Sequence, residues 1–358
     1  MNWFKEPGVA GVLSRAQCRQ TAESIAAVQE SSGAIPWSKG GHTDPWDHVE
    51  CAMALTAAGL IDPARRAFDW CRHQQRADGS WPIQLRVGVV EDGNSDSNFC
   101  AYVAVGVWHH VLITGSSAFA TAMWPTVRAA IDFVLDLQLA GGEICWARGP
   151  SGPVAEALLT GCASIFQSIR CGLALADYID EPQPEWEVAL GRLGHAITAH
   201  PSAFTDKPRH SMDWYYPILG GALRGPAATA RLTDRWSDFV VDGLGIRCVD
   251  DRPWVTGAET CELVLALDAM GERQAALRQF AAMQHLREDD GSYWTGLVFS
   301  DGKRWPVERT TWTGAAVILA ADALSRTTPG NGIFRGTALP RGLEGDYDCE
   351  CAVTPSDR

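Results

Sequence analysis

The sequence predicts an all-α fold, an (α/α)6 toroid or six-hairpin barrel of about twelve helices, on three observations. A glutamine, a glycine turn and a tryptophan recur in that order four times: Gln29…Gly33…Trp37, Gln75…Gly79…Trp81, Gln138…Gly142…Trp146 and Gln284…Gly291…Trp294. Apolar helical stretches alternate with amphipathic ones along most of the chain. Strand-like alternation is scarce. Repetition of this kind marks a fold in which each hairpin buries its apolar face only against its neighbours.

Amphipathic stretches at 14–29, 63–75, 126–138, 184–199, 226–241 and 272–284 each keep a charged face and suit an outer ring. The stretches between them, 46–60, 97–114, 156–179, 211–223, 258–270 and 310–325, are apolar nearly all round, as helices surrounded by neighbours must be. These suit an inner ring. The repeated glutamine ends a helical pattern, and the Asp-Gly or Gly-Gly pair after it supplies the turn. Its amide is placed to cap nearby backbone groups, and the indole to cover the adjoining helix end. Residues 1–326 are read as one toroid domain, and 327–358, rich in Gly, Pro and acids, as a loosely packed tail. In a closed ring of such hairpins the inner helices all point one way. Their positive dipole ends and unsatisfied N–H groups then gather on one face, and the polar side chains there share a cleft.

Composition narrows the partners. The 358 residues are 46% hydrophobic and 20% charged, enough for a large core, and the sequence shows no stretch expected to span a membrane. The 43 acidic and 30 basic residues give a net charge of −13, which repels a polyanion, so nucleic acid is excluded as a partner. No secretory signal is visible at the amino terminus, and the cytoplasm is the expected location. Of eleven cysteines, Cys51, Cys100, Cys162, Cys171 and Cys261 fall in apolar helical stretches and read as reduced core thiols. No C-x-x-C pair exists, and Cys349 and Cys351 sit in the polar tail without a nearby histidine, so no metal is expected. The glycine-rich run at 242–245 lacks the strand, helix and acidic follow-up of a dinucleotide site, and no cofactor is expected. The oligomeric state is not readable.

The starts of the inner helices carry the chemistry. The first holds His42, Asp44, Trp46, Asp47 and Glu50. Asp44 fits an N-cap with Pro45 as first helical residue and Asp47 as reciprocal partner. Glu50 lies one turn beyond Asp47 on the same face, and a carboxylate entering an apolar helix needs a reason. The second opens with Asp96, a cap or a ligand, while His109 and His110 lie toward its far end and read as packed histidines. The fourth joins Asp213 to Trp214, Tyr215 and Tyr216. Aromatic faces beside acids suit sugar rings, whose C–H groups stack while their hydroxyls find acceptors, although a core wedge capped by Asp213 fits equally. The fifth carries Glu259 and Glu262 one turn apart, and a capping box with Thr256 explains only Glu259. The sixth brings Glu308 and Trp312, with Arg309 as one possible ion-pair partner.

Several carboxylates thus converge, and burial with mutual repulsion raises at least one pKa. Glycoside hydrolysis needs that asymmetry: one carboxylic acid protonates the departing oxygen while a second carboxylate activates water or attacks the anomeric carbon. Glu262 is assigned as general acid and Asp47 as general base, with the reverse assignment open. His42, Asp44, Trp46, Glu50, Asp96, Asp213, Trp214, Tyr215, Glu259, Glu308 and Trp312 are assigned to an oligosaccharide or polysaccharide substrate. Inversion is the expected outcome, and retention stays open. An isoprenoid enzyme and a non-catalytic sugar-binding toroid are the competing classes.

The runs Q-R-A-D-G-S-W at 75–81 and Q-H-L-R-E-D-D-G-S-Y-W at 284–294 resemble the prenyltransferase and squalene-cyclase-like toroid superfamily. That superfamily's D-x-D-D and D-D-x-x-D acids are missing here, and Asp69 and Cys71, the only pair comparable to its zinc ligands, lie on a predicted outer helix. The resemblance therefore implies a shared fold and not a shared chemistry. Over nearly the whole chain, and most specifically in G-H-T-D-P-W-D-H-V-E at 41–50, N-F-C-A-Y-V-A-V-G-V-W-H-H at 98–110, S-M-D-W-Y-Y-P at 211–217 and T-G-A-E-T-C-E-L at 256–263, the sequence is similar to the actinobacterial methylmannose polysaccharide hydrolases. That resemblance implies an endo-acting α-1,4-mannosidase working on partly methylated mannose chains inside the cell.

Overall fold

Burial separates two kinds of helix. In α2 (Pro45–Ala57) all 13 residues are buried, whereas α3 (Ile61–Gln74) buries only Ala64, Ala67, Phe68, Trp70 and Cys71, along one stripe. The computed structural model describes residues 5–343 and repeats this contrast through the chain. The outer helices are α1 (Arg15–Ala26), α3, α6 (Ser117–Leu135), α8 (Pro184–Ala199), α10 (Gly225–Phe239) and α12 (Arg273–Ala282). The inner ones are α2, α4 (Ser97–Ala101) with α5 (Val103–Thr114), α7 (Leu159–Tyr178), α9 (Ser211–Leu219), α11 (Gly257–Ala269) and α13 (Thr311–Ser325). The second inner rod, expected as one helix, is divided at Tyr102. The Tyr102 amide still donates to Asn98 O and its carbonyl accepts from Gly106 N, so the two pieces run on as one rod.

The inner ring closes. α2 packs on α5, α5 on α7, α7 on α9, α9 on α11, α11 on α13, and α13 back on α2, with each outer helix against its inner partners. The all-α toroid of six hairpins is thus the observed fold.

The repeated glutamines do more than cap. Nε2 of Gln75 donates to Gly79 O in its own turn and to Thr126 O in the next outer helix, both at 2.9 Å. Gln29 makes the same pair of bonds to Gly33 O and Pro63 O, and Gln138 to Gly142 O and Ala189 O. Each amide therefore rivets one hairpin to the next. The turn glycines have positive φ and lie so close to the neighbouring helix that a Cβ on Gly79 would overlap the carbonyl of Ala129. The fourth copy departs from the pattern, since Gln284 bonds back into its own helix at Phe280 O. Its Gly291 instead lies against Gln20 of α1, where a Cβ would stand 2.8 Å from the Gln20 carbonyl, and Gln20 donates to Asp289 O at 2.7 Å. The last repeat thus seals the ring against the first helix.

Among the described residues ten short strands, none longer than four residues, occupy the connections that lead from an outer helix to the next inner one. The largest ladder is antiparallel and joins 303–304, 296–298, 254–256, 245–247 and 240–241 in that order. It fixes the loops that lead into α11 and α13 at the face where the inner helices begin.

Two sequence expectations are corrected. α7 is long and apolar enough to cross a membrane, yet it is an inner rod with most of its length buried. Residues 327–343 are not loosely packed: Ile333, Phe334 and Leu339 are buried, Gln167 donates to Ile333 O, and Arg335 pairs with Asp268 at 2.6 Å. The pattern misled because Gly and Pro here shape a strap that binds through its backbone carbonyls. The rest of the tail, 344–358, lies outside the described residues.

Candidate active site

The inner helices begin on one face, and their caps place the acids. Asp44 is the N-cap of α2, its Oδ1 accepting from Asp47 N at 2.9 Å, with Pro45 in the first turn. Asp96 caps α4 by accepting from Phe99 N at 3.0 Å. The two capping assignments made from sequence match this geometry, and capping also turns both carboxylates toward the ring's centre.

Below Asp44, Asp47 and Glu50 follow at successive turns of α2. Glu50 is only 1% exposed, and Nε1 of Trp312, from α13, donates to its Oε2 at 3.2 Å. Across the ring, Glu262 of α11 accepts from two phenols of α9: Tyr216 at Oε1, 2.6 Å away, and Tyr215 at Oε2. Side chains of four inner rods therefore meet at one place. The Trp46 ring lies among Tyr102, Tyr216, Phe99 and Trp312, with centroids 5.8 to 6.4 Å away.

Burial and crowding set the electrostatics. Burial pushes Asp47 well above the usual carboxylate range, and the charges of Asp44, Glu50 and Glu262 push it further. Glu262 is also raised well above its ordinary value by burial and by Glu50, against the pull of its two phenol donors. Burial lifts Glu50 to about 8 and Asp96 to about 7. Asp44 is raised by burial, against the hydrogen bonds from Asp47. Asp44, Asp47, Glu50 and Glu262, packed this closely, cannot all ionise near neutral pH, so these four hold protons and carboxylates together. Asp47 is the most accessible of them at 8%, against 2% for Glu262.

Around this centre His42 stacks on Trp37 at 5.9 Å, and Trp37 lies 5.8 Å from Trp312. Glu308 accepts from Nε1 of Trp37 at 2.9 Å, while Arg309 turns away to Asp290. Glu259 is buried beside Cys248 and is raised chiefly by burial.

Not every residue assigned from sequence joins the cluster. Trp214 faces outward: its indole donates to Arg231 O of α10 at 2.9 Å and stacks on Phe239 at 5.1 Å. Asp213 accepts from the Thr160 hydroxyl of α7 at 2.5 Å and lines a lateral groove with Arg231, Ser202 and Thr205. Trp214 fits the core-wedge reading, but Asp213 is not the cap expected of it: His210 is the N-cap of α9 and no side chain caps that helix. Consecutive helical residues point about 100° apart, so three in a row cannot share one face. Conversely, Tyr216, Tyr102 and Trp37 stand at the cluster but are not among the residues assigned to substrate from sequence. The aromatic run at 214–216 signals Tyr216 and the repeat signals Trp37, while nothing in the sequence marks Tyr102. Among the described residues no group of three or more His, Cys, Asp or Glu side chains is arranged to hold a metal ion.

No family model matches the chain. It is 77% identical over 348 residues to the MMP endo-(1,4)-3-O-methyl-alpha-D-mannosidase of Mycolicibacterium hassiacum, a match that covers 97% of each chain. Among solved structures it is similar to a wild-type glycosidase (TM-score 0.67, 15% identity, 86% of this chain and 96% of that one). It is also similar to a D-mannose isomerase (TM-score 0.68, 10% identity, 87% of this chain and 97% of that one). At these identities the structural likenesses show the fold alone.

Proposed function

The chain belongs to the family of the MMP endo-(1,4)-3-O-methyl-α-D-mannosidases, and on that premise we propose that it hydrolyses internal α-1,4 bonds of 3-O-methylated mannose chains with Asp47 and Glu262 as its acid–base pair. The observation that carries the pairing is the meeting of Asp47 and Glu262 in one buried carboxylate cluster, each raised in pKa and each feeling the other or Glu50. Glu262 protonates the departing glycosidic oxygen, and Asp47, the more accessible carboxylate, takes a proton from the attacking water. The reverse assignment uses the same two groups. Glu50 accepts from the Trp312 indole, and its nearness raises the pKa values of Asp47 and Glu262. Trp46, Trp312 and the Trp37–His42 stack supply aromatic surface for the sugar faces. Asp44, Asp96, Glu259 and Glu308 are the remaining acceptors around the cluster.

We place the reaction in a reducing compartment, the cytoplasm, because the nine described cysteines are all free thiols. The test of the function is direct. Asp47→Asn and Glu262→Gln are expected to lower turnover of methylated manno-oligosaccharides by about 10²–10⁴-fold, with products resolved by mass and substrate binding measured separately. Turnover kept in both variants would remove the pair from the mechanism. A wild-type protein that binds these oligosaccharides without releasing shorter products would make it a sugar-binding toroid instead.

A further inference from the structure

The face of the ring opposite the carboxylate cluster holds a cavity of about 690 Å³ between α7, α8, the ends of α9 and α11, and the strap of residues 335–343. In a chain of net charge −13 its lining is unexpectedly basic, with Arg170, Arg224, Arg335 and Arg341 all facing it. Arg335 shares the Asp268 carboxylate with Arg326. Arg170 and Arg224 have no carboxylate partner among the described residues. Arg170 donates to Pro340 O (2.8 Å) and Gly336 O (2.7 Å), and Arg224 to Phe334 O (3.1 Å) and Ile218 O. The two guanidiniums flank Gly221. A Cβ on that glycine would stand 2.6 Å from Nη1 of Arg170 and 3.2 Å from Nη2 of Arg224, so these nitrogens lie within about 6 Å of each other, the sum of those distances.

Backbone carbonyls satisfy the donors but bring no net charge, and a buried cation without a counter-charge is costly. Burial and the charge of Arg170 push Arg224 down to about 10, and burial with Arg341 lowers Arg170. A latch for the strap, with Arg224 capping the carbonyl end of α9, accounts for part of the arrangement. It leaves the open cavity that the two guanidiniums line without a role. It also leaves Arg341, exposed and without a hydrogen bond or ion pair among the described residues, unexplained.

We propose that this cavity is a binding site for a small anion carrying a phosphate or carboxylate group, held between Arg170 and Arg224 with Arg341 at the entrance. Paired guanidiniums present forked donors that match both groups. The site is independent of the hydrolytic reading and survives if that reading fails.

The test is thermal unfolding and calorimetric titration of the full chain with inorganic phosphate and, separately, citrate, against sodium chloride at matched ionic strength. Either anion is expected to raise the unfolding temperature saturably by about 2 °C or more. Arg341→Gln should weaken the response several-fold. Ala222→Glu, which sets a carboxylate beside Gly221, should abolish it and raise the unfolding temperature unaided. A wild-type response no larger than that to sodium chloride overturns the proposal, as does an unchanged response in Arg341→Gln, an exposed change that leaves the core alone. A full chain with Glu344, Asp346, Asp348 and Glu350 replaced by their amides supplies the last arm. If phosphate binds only to that variant, the chain's own carboxylates are the counter-charge and a free ligand is ruled out.

Discussion

Tyr216 donates its phenol hydrogen to Oε1 of Glu262 at 2.6 Å, while Tyr215 occupies the other oxygen from the same helix. These donors favour the ionised carboxyl and restrain the upward push of burial and Glu50. Tyr216→Phe is therefore expected to raise the Glu262 pKa further. One limb of the pH–rate profile then moves to higher pH. A moving alkaline limb identifies Glu262 as the acid, and a moving acidic limb identifies it as the base. A profile unchanged on both sides would detach Glu262 from the chemistry.

Glu50 gives stability a pH dependence of known sign. Its folded pKa of about 8 lies above the ordinary value of 4.5, so the folded state holds the proton more tightly than the unfolded state does. Its contribution is complete below pH 4.5 and is lost as pH rises through about 8. Glu50→Gln keeps the shape without the titration. The difference in unfolding free energy between variant and wild type should shift in the variant's favour across that window, and a difference flat with pH would refute the shift.

His48 works in the opposite sense. Its Nδ1 accepts from Ile35 N at 3.0 Å and its Nε2 lies 2.9 Å from Ala67 O, an arrangement that requires the neutral ring, and burial lowers its pKa to about 4. The stability it supplies is full above the ordinary 6.5 and is lost as pH falls through about 4. His48→Leu should cost about 1–3 kcal/mol at neutral pH, from the buried Ile35 N–H left unpaired, and should flatten the acid limb of a denaturation series. An acid limb as steep as the wild type's would count against this account.

Trp214 separates packing from recognition. Trp214→Ala removes an indole wedged against Phe239, Trp236 and Arg231 O, and should destabilise the fold by about 3–5 kcal/mol. KM for the folded enzyme should stay within about twofold of wild type, because the ring faces away from the carboxylates. A KM rise of tenfold at unchanged stability would return Trp214 to the substrate site.

The hairpin plan was readable because its signals are local and repeated. Glutamine, glycine turn and tryptophan recur, and the burial contrast between α2 and α3 is written in their side chains. The acids at 44, 47, 50 and 262 were also readable, since a carboxylate at the start of an apolar helix stands out against its neighbours. Rotation about a helix axis was not readable. Asp213, Trp214, Tyr215 and Tyr216 look equivalent in sequence, and only packing against α7, α10 and α11 sends the first two outward and the last two to Glu262. The strap at 327–343 was misread for a related reason: its anchors are carbonyl oxygens, which every residue owns and no composition reveals.

The seam between Gln20 and Asp289 joins positions 269 apart in the chain. A nascent polypeptide must therefore carry α1 with one flank bare until α13 has left the ribosome. Cys18 and Ile25, sealed in the finished ring, are open to wrong neighbours throughout that interval. The chain's vulnerability to aggregation is thus concentrated in its own synthesis and ends with the arrival of its last helix.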